Sequence, residues 1–149
     1  MTLGQNQFSM VPVAGQRVSG DNVKQCEFYD ASSVVTIEAG EFVLLSATTA
    51  PGVTKVKKGS AATDKYVGVV LTNALKAAFA VGDKLDVAFG FTEVMCTASA
   101  AITCGASLQY DYATKKVVTK GSSNTVVALA MENAASASDL VRVLVQTNF

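Results

Sequence analysis

Large apolar and small or polar residues alternate along several short stretches of this chain. Residues 85–91 read LDVAFGF, with a large apolar side chain at every second position. Residues 108–112 and 140–145 show the same period of two, and in the last run the valines share one face. This period is that of a β-strand with one buried and one solvated face. It predicts an antiparallel sandwich or barrel.

Turn-forming residues separate runs of this kind at short spacing along the chain, which is typical of an all-β domain. We therefore predict an all-β fold, a small antiparallel β-barrel or a jelly-roll-like sandwich. Residues 73–80 (NALKAAFA) predict a short helix within a connection. The predicted strands cover residues 26–29, 34–37, 42–46, 53–56, 66–71, 85–91, 92–97, 107–112, 116–119, 125–131 and 140–146.

A short pattern recurs around Gly40, Gly82 and Gly105. In each copy an apolar residue precedes the glycine by three positions, and an apolar strand start follows it. We expect each glycine to adopt the positive φ that a hairpin or bulge requires. Because the spacing of the copies is irregular, the pattern predicts one turn type used three times rather than a repeat.

Residues 1–25 differ from the rest because they are rich in Gln, Asn, Gly and Ser. A disordered tail is one interpretation, but the scattered apolar side chains argue against a free one, and Pro12 favours extended geometry. We predict an extended amino-terminal arm over residues 1–25 and a single β domain over residues 26–149. The arm would lie on its own sheet or on a neighbouring protein. In the second case its interface residues would be Phe8, Met10, Val11, Val13 and Arg17.

The composition is poor in charge and rich in apolar residues. Charged residues make up 16% of the chain and apolar residues 50%, whereas a typical soluble domain is about 25% charged. We expect other proteins to cover part of such a surface, so the chain would act as a subunit of an assembly. The formal net charge is zero, which gives no long-range attraction to nucleic acid or to an anionic membrane.

Segments that direct a protein to a membrane are not recognisable. No apolar run approaches the roughly 20 residues that a membrane-spanning helix needs, and the first residues lack the features of a secretion signal. We therefore expect synthesis in a cytoplasm, no membrane partner and no direct nucleic-acid partner.

Residues that usually carry catalysis are scarce. The chain has no His, which removes the commonest general base, and it has no phosphate-binding glycine loop. Cys26, Cys96 and Cys104 are odd in number and are expected to be reduced thiols. A zinc site would need all three together with a carboxylate. We expect no enzymatic activity, no catalytic residues, no cofactor and no metal.

Several segments, taken in order, resemble a known family. They are residues 38–43 (EAGEFV), 66–70 (YVGVV), 81–88 (VGDKLDVA), 98–111 (ASAAITCGASLQYD), 127–134 (VALAMENA) and 139–144 (DLVRVL). Each motif alone is common in β proteins, but their order resembles the structural cement, or head-decoration, proteins of tailed bacteriophages. Residues 73–80 and 115–125 lie outside this resemblance.

The resemblance implies a β-barrel or jelly-roll protein on the outer surface of a phage head, made in the host cytoplasm. It would bind the major capsid protein and bridge neighbouring capsid subunits, so that the shell resists the pressure of the packaged DNA. It would act as a homodimer or homotrimer. Two other interpretations remain open. One is another virion β-domain, such as a tail or fibre component. The other is a soluble ligand-binding β-barrel, whose candidate residues are Tyr29, Tyr66, Tyr110 and Tyr112.

Overall fold

The computed structural model describes residues 12–47, 51–73 and 75–149. These residues form thirteen strands and no helix, which confirms the predicted all-β fold. None of them belongs to a helix long and apolar enough to cross a membrane. The strands are β1 (Arg17–Ser19), β2 (Val23–Phe28), β3 (Thr36–Glu38), β4 (Phe42–Leu45), β5 (Lys55–Lys58), β6 (Gly68–Val70), β7 (Ala78–Ala80), β8 (Lys84–Ala88), β9 (Glu93–Thr97), β10 (Ser107–Asp111), β11 (Lys116–Thr119), β12 (Ala128–Ala130) and β13 (Leu140–Val145).

The strands form a closed barrel, a larger sheet and a two-stranded sheet. The barrel has the order β2-β5-β4-β6-β8, and the larger sheet has the order β1-β9-β13-β12-β10-β11. All paired strands are antiparallel except β2 and β5, which run parallel. The small sheet pairs β3 with β7.

Side-chain alternation marks several of the predicted strands, whereas β6 was predicted from an apolar run whose residues are all buried. In β13 the side chains of Val141, Val143 and Val145 are fully buried, whereas the residues between them are partly exposed. Every predicted run overlaps an observed strand. The sequence missed β1 and β7.

The helix predicted over residues 73–80 is wrong. The side chain of Asn73 accepts hydrogen bonds from the backbone N–H groups of Leu75 and Lys76 at 2.8 and 2.7 Å, which closes a turn in place of a helical start. The chain then enters β7, where Phe79 pairs with Ile37 of β3, and both side chains are buried. Burial of this pair therefore outweighs the local helix preference of the alanines.

The described part of the predicted arm begins at residue 12 and is largely in contact with the rest of the chain. β1 forms an edge of the larger sheet by pairing with β9. Strand β2 begins at Val23, within the segment predicted as the arm, and belongs to the barrel. Of the two placements predicted for the arm, the described residues thus show contact with the chain's own sheet.

From β2 onwards, the described residues form two structural repeats of the same strand order. Starting from its first strand, the first repeat has the order β2-β8-β6-β4-β5, and β5 closes the barrel by pairing with β2. In the same direction the second repeat has the order β9-β13-β12-β10-β11. In the first, β2 and β5 meet in parallel at Phe28 and Val56. In the second, Ala98 and Val117 meet in the same way, so that β11 returns to the end of β9.

The hydrogen bonds of the two repeats correspond group by group. Gly82 N–H donates to the carbonyl of Phe28 at 2.8 Å, and Ser138 N–H donates to that of Ala98 at 2.7 Å. Gly40 N–H donates to a carbonyl of β6 and Gly105 N–H to one of β12, both at 2.8 Å. The pairing of β3 with β7 corresponds to a single bridge between Ile102 and Ala134.

These equivalences correct our interpretation of the recurring glycine pattern. All three glycines have the expected positive φ, of 92°, 92° and 86° for Gly40, Gly82 and Gly105. Gly40 and Gly105, however, hold the same place in the two repeats. Gly82 belongs to a different turn, whose second copy has Ser138 with φ 71°. The pattern therefore includes a true repeat, and its third copy is a similar turn elsewhere.

A shared core joins the repeats. One apolar cluster fills the barrel, and a second fills the larger sheet and extends to Phe42, Tyr66 and Val69 of the first repeat. The rings of Phe42, Tyr66 and Tyr110 contact one another, with centroids 5.2 to 6.3 Å apart. Tyr110 comes from β10, so this aromatic contact crosses between the repeats. The two halves therefore pack as one body.

Candidate interaction surface

The residues predicted as an interface lie in and next to the amino-terminal segment. Phe8, Met10 and Val11 fall outside the described residues. Val13 is 49% exposed. Arg17 lies in β1, and its guanidinium donates to the carbonyl of Gly20 at 3.1 Å. Among the described members of this set, Val13 is thus available to a partner, whereas Arg17 is engaged with its own turn.

Gly15 fixes this segment against both repeats. Its N–H donates to the carbonyl of Met95 at 2.8 Å, and its carbonyl accepts from Thr72 N–H at 3.0 Å. Its φ is 78°, and a Cβ added there would lie 2.6 Å from the Cβ of Ala39. Only glycine fits this position, and its contacts with both repeats hold the chain in place next to Val13.

Groups that could carry chemistry do not converge. Within the described ranges no group of three or more His, Cys, Asp or Glu residues could hold a metal ion. Burial raises the pKa of the Cys26 thiol to about 11 and that of the Cys96 thiol to about 12. Both thiols are therefore protonated near neutral pH and are poor nucleophiles. Cys104 is exposed.

The four tyrosines predicted for a ligand-binding barrel do not line one pocket. Tyr66 and Tyr110 are each 2% exposed and belong to the shared core. Desolvation raises the pKa of both hydroxyls. Tyr29 lies under the ammonium group of Lys55, 5.5 Å from the ring centroid, and Tyr112 is 46% exposed.

An apolar surface, in which Leu45 and Phe149 are the exposed side chains, lies at one end of the first repeat. Its apolar members are Leu44, Leu45, Val67 and Phe149, which border a hollow of about 360 Å³. We call this group the Leu45 surface. Leu45 is 47% and Phe149 37% exposed. The ring of Phe149 packs edge-on against Phe89 with centroids 5.2 Å apart, which holds it at this end of the barrel.

Lysines surround the Leu45 surface. Lys57 and Lys65 border the same hollow, and Lys24 places its ammonium nitrogen 5.8 Å from the centroid of the Phe149 ring. A second hollow of about 510 Å³ adjoins the first at Leu45 and is bordered by Lys24 and Lys55. Lys55 pairs with Glu27 at 3.5 Å. Among the described residues, no carboxylate pairs with Lys24, Lys57 or Lys65.

This arrangement suits an apolar, acidic protein surface better than a small molecule. Leu45 and Phe149 are exposed in its centre, and Lys24, Lys57 and Lys65 lie next to them. The sequence analysis did not single out these side chains, because Leu45, Lys24 and Phe149 are far apart in the sequence. A usable signal was present, since Leu44 and Leu45 end one strand directly before a lysine-rich one.

Comparison with known proteins identifies the family. A family described as phage cement protein matches residues 28–146, which is most of the chain. The chain belongs to the phage cement protein family. The resemblance found in the sequence motifs is thereby confirmed, and the protein is a capsid-associated structural protein of the virion. No curated protein matches the chain.

The fold is shared with a second phage protein. The crystal structure of the N base of head fiber gp8.5 in bacteriophage phi29 matches with a TM-score of 0.52. The two chains are 14% identical, and the match covers 83% of this chain and 92% of that chain. At this identity the likeness establishes the fold alone. Together with the family, it confirms an all-β virion protein.

Proposed function

We propose that the protein binds the outer surface of a phage head and bridges major capsid subunits, stabilising the shell against the pressure of the packaged DNA. The observation that carries this proposal is the family match over residues 28–146. The exposed apolar side chains support it, because Leu45, Phe91 and Leu75 are 47%, 72% and 94% exposed to solvent in the isolated chain. Side chains of this kind form the centres of protein interfaces.

Bridging requires at least two contact areas, and the size of the protein allows them. The accessible surface is 7792 Å², whereas a stable interface takes about 800 Å² from each partner. Engaging two subunits at once raises the overall affinity without strengthening either contact. The two structural repeats support this view, since a duplicated fold presents two similar scaffolds in one chain.

We further propose that the protein acts as a homodimer or homotrimer on the head. The amino-terminal segment supports this, because Val13 is exposed and follows the apolar residues Phe8, Met10 and Val11 closely in the sequence. Removal of residues 1–12 should then lower the oligomeric state in solution, measured by sedimentation, while the β domain keeps its melting temperature. An unchanged oligomer would overturn this role for the arm.

The test of the proposed function is reconstitution on heads that lack the protein. Purified protein should bind such heads in many copies, and image reconstruction should place it on the outer surface across junctions between capsid subunits. Density that contacts one capsid subunit only would overturn bridging. Absence of binding would overturn the proposal as a whole.

A second candidate is another virion β-domain, such as the base of a fibre. The shared fold with a head-fiber base favours it over a tail component. Copy number separates the candidates, because a cement protein occupies most equivalent sites on the shell, whereas fibres are attached at fewer positions. Counting copies per purified virion by quantitative mass spectrometry makes this distinction.

A further inference from the structure

The two repeats differ at one sheet edge. In the second repeat β1 pairs with the amino-terminal half of β9, as Met95 N–H donates to the carbonyl of Gln16 at 2.9 Å and its carbonyl accepts from Gly15 N–H. In the first repeat the equivalent strand is β2, and Gln25 holds the place of Met95. The equivalence follows from pairing, because Cys26 faces Leu85 as Cys96 faces Val141.

The backbone of Gln25 points to the same side of its strand as that of Met95. Its neighbours in β2 show this, because Phe28 N–H donates towards β8, to Asp83, whereas Glu27 N–H donates to the other side, to Thr54. Gln25 has the parity of Glu27, so its N–H and carbonyl face away from β8. On that side β5 reaches only Glu27 and Phe28. Within the described ranges no strand pairs there with Val23–Gln25.

A hollow borders this edge. It has a volume of about 510 Å³ and is bordered by Lys24 of β2, by Leu45 and by residues 52–55. Gln25 itself is exposed. The first repeat thus has a strand edge, an adjoining hollow and an exposed leucine at the position where the second repeat holds β1.

Charge indicates what would fill this position. Lys24 and Lys57 have no carboxylate partner among the described ion pairs, and both lie at or next to the hollow. Residues 1–20 of this chain, which include β1, contain no Asp or Glu. The chain's own amino-terminal segment, from this or another copy, would therefore leave these lysines unpaired. An acidic segment would pair with them.

We propose that the free edge of β2 is a docking site for an extended, acidic segment of the partner protein, which adds as an antiparallel strand beside Val23–Gln25 and places an apolar side chain on Leu45. This is the position that β1 holds in the second repeat, and strand addition to a sheet edge is an established mode of peptide recognition. The inference rests on the proposed function, and the partner segment would belong to the capsid protein.

Hydrogen exchange tests the edge directly, with Met95 as an internal reference. In the free protein the amide of Gln25 should exchange at least about tenfold faster than that of Met95, because among the described residues only the Met95 amide has a hydrogen-bond acceptor. On heads, the Gln25 amide should become protected at least about tenfold, whereas Met95 stays unchanged. If the Gln25 amide already exchanges slowly in the free protein, the edge of β2 is not vacant. If it still exchanges fast on heads, β2 is not the docking site.

Charge reversal tests the occupant. Lys57→Glu should weaken binding to heads at least tenfold, and the loss should shrink at high salt. Lys120→Glu is the matched control, since Lys120 also lacks a described ion pair but follows β11 of the second repeat, and it should bind like wild type. Gln25→Pro, which removes the donor without touching the β2–β8 bonds, should weaken binding as well.

The outcomes separate this inference from the proposed function. If the wild-type protein binds heads and the Lys57→Glu and Gln25→Pro variants bind equally well, the docking site is wrong and the proposed function stands. Wild-type protein that binds no heads overturns both. Equal loss in Lys57→Glu and Lys120→Glu overturns a local acidic contact. If an added amino-terminal peptide of this chain protects Gln25 instead, the occupant is a second copy and the assignment to a capsid segment is wrong.

Discussion

The hydroxyl of Tyr110 donates a hydrogen bond to the carboxylate of Glu41 at 3.4 Å, and this bond crosses from the second repeat to the first. Glu41 is only 3% exposed and also lies 3.4 Å from the ammonium nitrogen of Lys58. Its other carboxylate oxygen accepts from the N–H of Glu38 at 2.6 Å. A buried charge with three partners from both sides is therefore part of the junction between the repeats.

Replacing this carboxylate should destabilise the whole fold. Glu41→Ala should lower the free energy of unfolding by about 3 kcal/mol, because it leaves the Tyr110 hydroxyl and the Glu38 N–H without an acceptor and removes the ion pair with Lys58. Tyr110→Phe, which removes one hydrogen bond, should cost about 1 kcal/mol. Urea denaturation followed by circular dichroism measures both. The control is Glu38→Ala, whose side chain is 60% exposed and should change little. A Glu41→Ala protein as stable as this control would contradict the account.

Phe91 should be replaceable by glycine with a gain in stability. Its φ is 61° and it is 72% exposed at the turn between β8 and β9, so it bears backbone strain and buries little. Phe91→Gly relieves the left-handed backbone strain but makes the unfolded chain more flexible. The net gain in the free energy of unfolding should be about 1 kcal/mol, or roughly 3 °C in melting temperature. Scanning calorimetry measures it. Gly82→Ala should lower the stability, because its φ of 92° strains any residue with a Cβ. No atom lies within 4 Å of the added Cβ, so this backbone strain is the effect that the variant measures.

The three cysteines should differ in reactivity. Cys26 and Cys96 hold the same place in the two repeats and are buried, whereas Cys104 is exposed. Iodoacetamide at pH 8 should modify one thiol in the native protein and all three after denaturation. Intact-mass spectrometry counts the adducts. Two or three adducts formed quickly on the native chain would show that the core opens more readily than the packing implies.

Stability should fall at alkaline pH. Burial raises the pKa of Cys26 to about 11 and of Cys96 to about 12 from an ordinary value of 9.0. Between the pKa of the unfolded chain and those of the folded protein, the folded thiols keep protons that the unfolded chain has lost. The contribution of thiol burial to the free energy of unfolding is therefore complete below pH 9 and is lost as the pH rises towards the folded pKa values. Burial also raises the pKa of Tyr66 and Tyr110, which adds in the same direction. Urea midpoints at pH 8 and 10.5 should therefore differ, and less so in Cys96→Ala.

The sequence predicted strands from side-chain alternation, as in β13 with its buried valines, and from short apolar runs, as in β6, whose three residues are all buried. β7 could not be predicted, because its alanines favour a helix and only pairing with Ile37 decides otherwise. β1 is a short polar edge strand whose three residues are all exposed, so no burial pattern marks it.

The repeat was hidden for a related reason. Equivalent positions share backbone bonds, but several of their side chains differ: Phe28 stands where the second repeat has Ala98, and Gly82 where it has Ser138. The interaction surface was only partly predictable, since Leu45 and Phe149 come together through the barrel and not through sequence spacing. The role of Phe8, Met10, Val11, Val13 and Arg17 stays a prediction.

Heat resistance of phage heads measures the central claim most directly. Filled heads that lack the protein should release DNA at a lower temperature than native heads, and saturating them with purified protein should restore the native release temperature. A dye that reports free DNA follows the release. Heads that bind the protein yet release DNA at the same temperature with and without it would contradict a stabilising role.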